Sequence, residues 1–302
     1  MTHIRQNFGK DFKKIRENKG YTQQYVAKEA MARSTYTKFE LDSIVPTITK
    51  YFQILNNLDM THEEFNYIHN HYQLKGKDAI LYQFKTMAVN NDLNTLMKVR
   101  ETTKNYLNEH EDNVVQDIFY ICDALITLSK TNDLSQAAPY AEKVWHRIAQ
   151  LDKWYLIELR LLNNILFFFD FDTSHFISKR ALIELEHYKH FHEAIELKLA
   201  YSMNLIYLLM ENHNYQQALE KAESLITLSK EKGRYRILGV VYVRKGIILT
   251  KLKKSTTETE TWIQKGFNLL EAIEDFSLIE ELKKEVLYYM NSHSKKLTIK
   301  ST

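Results

Sequence analysis

Apolar residues recur every three or four positions along almost the whole chain, separated by short polar breaks. That period places them on one side of a succession of helices rather than on strands. Near the N-terminus the helices are short. Phe8, Phe12 and Ile15 share a face over 8–18, and Gly20 ends that segment. Thr22 is positioned to cap a helix over 23–30, with Val26, Ala27 and Ala30 turned inward. A third helix begins at Arg33 or Ser34 and runs to about Leu41, anchored by Tyr36 and Phe39. A fourth follows from Pro46-Thr47 to Leu58, with Tyr51, Ile54, Leu55 and Leu58 as its apolar stripe. Thr61-x-x-Glu64 is a capping box for a fifth.

After Gly76 the helices lengthen. The pattern predicts them near 77–90, 92–110, 113–131, 134–151, 153–169, 174–189, 192–212, 215–231, 235–253, 258–274 and 276–291. Breaks fall at Asn90-Asn91-Asp92, Thr131-Asn132-Asp133, Asp170-Phe171-Asp172, Asn212-His213-Asn214 and Glu231-Lys232-Gly233. Alternate helices recur at about forty residues, as in 153–169, 192–212 and 235–253, the period of stacked helix pairs. Tyr215-x-x-Ala218-x-x-x-Ala222-x-x-Leu225 resembles the second helix of a tetratricopeptide repeat, whose small residues let paired helices approach closely. Gly76, between Lys75 and Lys77, is the expected hinge. The helix over 276–291, with Phe276, Ile279, Leu282, Val286, Leu287 and Tyr289, is a candidate end cap or interface.

Composition narrows the classes. Seven Gly and two Pro in 302 residues favour long helices over a sheet-rich fold. The richest apolar run, Ile165-Leu166-Phe167-Phe168-Phe169, stops at Asp170, far short of the ~20 residues of a membrane span. Met1-Thr2-His3-Ile4-Arg5 shows no apolar signal-peptide core. Cys122 is the single cysteine, so no internal disulfide can form and a cytoplasmic location is expected. The net charge of +3 hides an asymmetry. Residues 1–58 hold ten Lys/Arg against five acids, whereas the remainder is net −2. A basic end on a near-neutral body suits a phosphate-facing module.

The N-terminal pattern has the outline of a helix-turn-helix DNA reader. Gln23 lies at the first turn of a helix, beside backbone N–H groups that can hold a phosphate. Arg33, Ser34, Thr37 and Lys38, with Thr35 beside them, lie where a helix entering a major groove presents its side chains. Gly20-x-Thr22-Gln23-x-x-Val26-Ala27, then Ser34, Lys38-Phe39-Glu40, Pro46 and Asp59-Met60-Thr61-x-Glu63-Glu64-Phe65 resemble an Xre-type, lambda-repressor-like domain over about sixty residues. That resemblance implies an internal ion pair between the first helix and the end of the recognition helix, falling on Arg16 and Glu40. Two glycines usual in the family are absent. Ala30-Met31-Ala32-Arg33 fills the turn, about one residue short, and Leu41-Asp42 follows Glu40.

In the long segment one residue every forty forms a ladder on the first helix of each pair: Ala124, Asn164, Asn204, Arg244. Asn is poor in helix interiors, so two at one repeat position suggest a task for the amide, such as clamping an extended peptide backbone. Helical spacing brings Arg160, Phe167 and Phe168 beside Asn164, and Tyr201 and Tyr207 beside Asn204, giving an apolar, aromatic groove. The short-turn spacing from Ala27 to Glu40 and the block Trp154-x-x-x-Glu158-x-x-Leu161-Leu162-x-Asn164 extend the resemblance nearly end to end. The chain resembles the Rgg (GadR/MutR) transcriptional regulators, which join an Xre-type domain to a tetratricopeptide-like domain. The fold so implied is all-α, with a lambda-repressor-like domain at 1–68, a linker at 69–77 and a right-handed helical-repeat solenoid at 78–302. The function implied is a cytoplasmic homodimer that binds double-stranded promoter DNA and is controlled by a short signalling peptide, as in quorum sensing. Under that resemblance Asn164, Asn204 and Arg244 are peptide contacts.

Other chemistry is thin. His187, His190 and His192 beside Glu193 suggest a metal cluster or a pH-sensing group, but no His-Glu-x-x-His exists. No Gly-rich phosphate loop and no Ser/His/Asp arrangement is present, so neither catalysis nor a cofactor or metal is expected. The alternative is a tetratricopeptide-like interaction protein or enzyme-inhibiting peptide sensor without specific DNA binding.

Overall fold

The computed structural model describes residues 8–87 and 93–291. The break expected at Asn90-Asn91-Asp92 lies outside them. The described residues form sixteen α-helices and two 3-10 turns, with no strand. The chain divides into two compact units, Met1–Tyr82 and Gln83–Thr302.

The first unit contains α1 (Phe8–Asn18), α2 (Gln23–Ala27), α3 (Arg33–Glu40), α4 (Ile48–Asn57) and α5 (His62–His69). Phe12, Val26, Tyr36, Phe39, Ile54, Leu55, Leu58 and Phe65 form its core. Burying each such side chain contributes about 1.5–3 kcal/mol. The Thr22 hydroxyl accepts the Tyr25 N–H at 3.1 Å, and the Thr61 hydroxyl that of Glu64 at 3.1 Å, so each caps its helix. α2 is shorter than the expected 23–30 because the chain leaves the helix at Lys28, and Glu29 takes φ +63°. The expected linker at 69–77 holds the end of α5, His71 and Tyr72 with positive φ, and the first residues of α6 (Gly76–Met87). The division between the units falls after Tyr82, inside α6.

The second unit runs through α7 (Leu93–Leu107), α8 (Asn113–Thr131), α9 (Leu134–Ala149), α10 (Leu156–Asn163), α11 (Phe171–Leu185), α12 (His192–Glu211), α13 (Tyr215–Glu231), α14 (Tyr235–Lys251), α15 (Thr256–Ala272) and α16 (Phe276–Asn291). Consecutive helices pack in pairs, while α8, α10, α12, α14 and α16 also pack on one another as one layer of the solenoid. Positive φ at Asn132, His213 and Gly233 turns the chain back between helices. Asp112, Asp133, Asp170 and Ser255 cap the helices that follow them. α14 and α15 touch through backbone: a Cβ on Gly266 would lie 2.6 Å from the Gly239 carbonyl oxygen. α16 turns Ile279, Leu282 and Tyr289 inward and leaves Phe276 and Leu287 exposed.

One expected helix is broken. The pattern over 153–169 yields α10 and then a 3-10 turn at Leu166–Phe168. The cause is Asn164, whose amide donates to the Arg160 carbonyl at 2.8 Å and ends the helix.

Asp117 on α8 is buried and accepts from Arg147 Nε at 2.7 Å. Burial pushes its carboxyl up to about 6, with Arg147 pulling it down and Glu158 adding to the rise. The folded pKa therefore lies above the ordinary carboxylate value. The resulting stability is fully present below about pH 4 and is lost as pH rises through about 6, on the order of 2–3 kcal/mol. Denaturant melts of the second unit across this window should show that slope, and Asp117→Asn should flatten it; an unchanged slope would remove the assignment to Asp117.

Candidate nucleic-acid interface and effector site

α3 is held by a buried ion pair. Arg16 Nε lies 2.5 Å from Glu40 Oε1 and Arg16 Nη2 3.1 Å from Glu40 Oε2, while Nη1 donates to the Tyr21 carbonyl at 2.9 Å. The bond to Glu40 raises the Arg16 pKa. This two-pronged contact fixes the end of α3 against α1. A second tie comes from Asp42, which follows α3 at φ +54° and accepts the Gly9 N–H at 2.7 Å. Asp tolerates that left-handed backbone better than most residues. Gly9 itself is obligatory, since a Cβ there would lie 1.9 Å from the Phe39 carbonyl oxygen.

Gln23 is drawn into this network. Its amide nitrogen donates to Glu40 Oε2 at 2.7 Å. The Thr37 hydroxyl lies 3.0 Å from both Gln23 Oε1 and the Arg33 carbonyl, and donates to one at a time. One of the two Gln23 amide N–H groups is thus engaged by Glu40, which ties the start of α2 to the end of α3. Thr35 and Thr37 are half-buried, whereas Arg33, Ser34 and Lys38 are exposed on the outer side of α3. Sequence reading passed over Asn57, whose amide donates to the Val26 and Lys28 carbonyls at 2.9 and 2.7 Å and so caps the end of α2. It also passed over Gly9 and Asp42, which no local period distinguishes.

In the repeat unit the groove residues divide. Tyr201 is fully buried, and its hydroxyl donates to the Leu159 carbonyl at 2.6 Å. Phe168 is buried as well. Both belong to the core, which corrects their expected place on the groove surface. Phe167 and Tyr207 are half-buried and meet edge to face at 5.6 Å. Asn164 turns back on its own helix. Asn163 takes the ladder position instead, accepting from Asn204 Nδ2 at 3.1 Å. Arg160 pairs with Glu193 at 3.4 Å, and Lys85 also contacts Glu193. Burial lowers the Arg160 pKa, against the pull of Glu193. Arg244 pairs with Glu285 of α16, Nε to Oε1 at 2.9 Å and Nη2 to Oε2 at 3.3 Å. The Asn163–Asn204 and Arg244–Glu285 bonds each span 41 residues, one repeat. His187, His190 and His192 are exposed, and among the described residues no group of three ligands is placed to hold a metal ion. No helix among them is long and apolar enough to cross a membrane.

The fold is shared with known regulators. A Listeria monocytogenes EGD-e protein assigned as a transcriptional regulator is 19% identical, with a TM-score of 0.77 over 94% of this chain and 98% of its own. Bacillus thuringiensis PlcR, solved with the peptide PapR7 and DNA, is 19% identical at a TM-score of 0.67, covering 92% of this chain and 99% of that one. The SHP pheromone receptor Rgg2 of Streptococcus dysgalactiae is 14% identical at 0.67, covering 92% and 98%. No curated protein matches by sequence. Residues 12–65 match a helix-turn-helix profile, and residues 93–284 match that of the HTH-type transcriptional regulator Rgg, C-terminal domain. With more than half of its length under that profile, the chain belongs to the Rgg family of transcriptional regulators and not to an enzyme family.

Proposed function

We propose that this regulator binds promoter DNA sequence-specifically as a homodimer in the cytoplasm and is controlled by a short peptide on the layer formed by α8, α10, α12, α14 and α16. The observation that carries the DNA half is the geometry of α3. Its inner side is locked by Arg16–Glu40 while Arg33, Ser34 and Lys38 stand exposed beside Thr35 and Thr37. A rigid helix with polar and cationic side chains on its free side is what groove reading needs. The peptide half is supported by the half-buried amides of Asn163 and Asn204 beside Phe167 and Tyr207, and by PlcR, which was solved with both a peptide and DNA. Peptide binding changes DNA binding only if the peptide prefers one dimer geometry over another.

The test is recovery of sheared genomic DNA by the purified protein, with Arg33→Ala/Lys38→Ala as control and the fragments sequenced. A few enriched sites, lost in the control, are expected. Uniform recovery by both forms would overturn sequence-specific reading by α3. On an enriched site, Arg33→Ala alone should weaken specific binding by ~1–3 kcal/mol if it reads a base. An equal loss on every sequence would reduce Arg33 to a phosphate contact.

A further inference from the structure

We propose that the outer face of α16 is the contact between two copies of this chain, paired antiparallel about a two-fold axis that passes between Glu281 and Leu282. The proposal rests on the homodimer reading above and adds the surface and the register. A helical repeat ends on a helix whose outer face has no successor to cover it, and solubility then requires that face to be polar. α16 is the last described helix, and it departs from this rule. Leu278, Ile279, Leu282 and Tyr289 turn inward, whereas Phe276, Leu287 and Met290 are 62%, 59% and 42% exposed. Apolar side chains exposed singly are ordinary; these are aligned. With Glu280 and Lys283 they form one stripe, 276, 280, 283, 287 and 290, in alternating steps of four and three residues. Such steps make the seam of a two-helix coil. Exposed Ile273 extends the stripe into the turn before α16.

The order of side chains along the stripe decides the partner. Glu280 and Lys283 stand at its centre, both exposed and 2.8 Å apart within their own helix. In the antiparallel register Glu280 of each copy meets Lys283 of the other, Phe276 meets Leu287, and Ile273 meets Met290. Each apolar residue thus meets an apolar one, and the four central charges close into a ring of alternating sign. One patch satisfies itself, as a two-fold interface demands. A parallel pairing would set Glu280 on Glu280 and Lys283 on Lys283, which is repulsive. α16 presents the stripe rigidly, because Glu285 holds Arg244 at 2.9 Å and the Tyr289 hydroxyl donates to Glu211 at 2.5 Å.

The experiment follows the full-length protein by analytical ultracentrifugation across concentration. Glu280→Lys and Lys283→Glu each set like charges against each other twice per dimer, and each should weaken dimerisation roughly ten- to hundredfold. Mixing the two variants restores opposite charges across the seam without restoring the pair inside either helix, so heterodimers should recover most of the affinity. Oxidation of Phe276→Cys/Leu287→Cys should link two copies, since facing positions come within disulfide reach. Phe276→Cys alone should not link, because the same position on the second copy lies about 16 Å away along the helix. Wild-type affinity in both charge variants would place the dimer contact elsewhere, overturning the seam while leaving the homodimer reading intact. Weakening without recovery on mixing would trace the effect to the helix itself and likewise overturn the seam. Ready linkage of Phe276→Cys to itself would overturn the antiparallel register. Wild-type protein that stays monomeric at every concentration would overturn both the seam and the homodimer.

Discussion

Replacing Arg16 by Met is expected to cost the N-terminal unit about 3–5 kcal/mol, the usual effect of removing one partner from a buried ion pair. Glu40 is 2% exposed and depends on Arg16 for two of its bonds, with Gln23 supplying a third. Without the guanidinium a carboxylate remains buried with one amide partner, and the end of α3 loses its hold on α1. Against typical domain stabilities of about 5–15 kcal/mol, such a loss leaves the unit marginal or unfolded. Amide exchange within α1–α3 of the full-length protein measures it directly. The Arg16→Met/Glu40→Gln double variant should recover part of the loss, because no uncompensated charge then remains. Wild-type protection in Arg16→Met would show that Gln23 alone suffices for Glu40.

Trp154→Ala should cost the repeat unit a comparable ~3–5 kcal/mol. Trp154 has no exposed surface, and its indole N–H donates to the Ile148 carbonyl at 3.1 Å. The Arg180 guanidinium stacks 4.0 Å above the ring while donating to the Leu151 and Asp152 carbonyls at 3.0 and 2.8 Å. One side chain thus fills the corner where α9 passes to α10 and holds the cation that binds the connecting backbone. Alanine leaves a cavity and an Arg without its ring, while the Ile148 carbonyl keeps only backbone N–H partners such as that of Leu151 at 3.1 Å. The melting temperature of this unit should fall by on the order of 10 °C. Trp154→Phe keeps most of the volume and should lose well under half as much; equal losses in the two variants would assign the effect to the hydrogen bond rather than to packing.

Both predictions concern residues whose type was visible in the chain but whose partners were not all so. The helices were legible because each carries its own apolar period and several also carry a side-chain cap. Thr22 and Thr61 announce α2 and α5, and Asn132, His213 and Gly233 interrupt the apolar pattern where the backbone turns back. The forty-residue recurrence announced stacked pairs, since each pair must bury its face on the next. The exposed side of α3 followed in the same way, because Tyr36 and Phe39 claim the other side. Such features depend on residues a few positions apart, and local physics suffices to read them.

Only the tertiary structure decided how each helix is rotated against its neighbours. Adjacent residues on a helix point about 100° apart, so a ladder read at Asn164 and one read at Asn163 look alike in sequence yet face different surroundings. Packing placed Asn163 against Asn204, turned Asn164 back to Arg160, and sank Tyr201 beneath Leu159. It also committed Gln23 to Glu40 and Arg244 to Glu285, pairs 17 and 41 residues apart. No periodicity encodes such pairs, because a polar side chain finds its partner across elements whose approach is set by close contacts elsewhere, as Gly9 sets α1 on α3 and Gly266 sets α15 on α14. The sequence by itself determined the helices, their order and their apolar sides; the packed structure decided which polar groups remain free to meet a ligand.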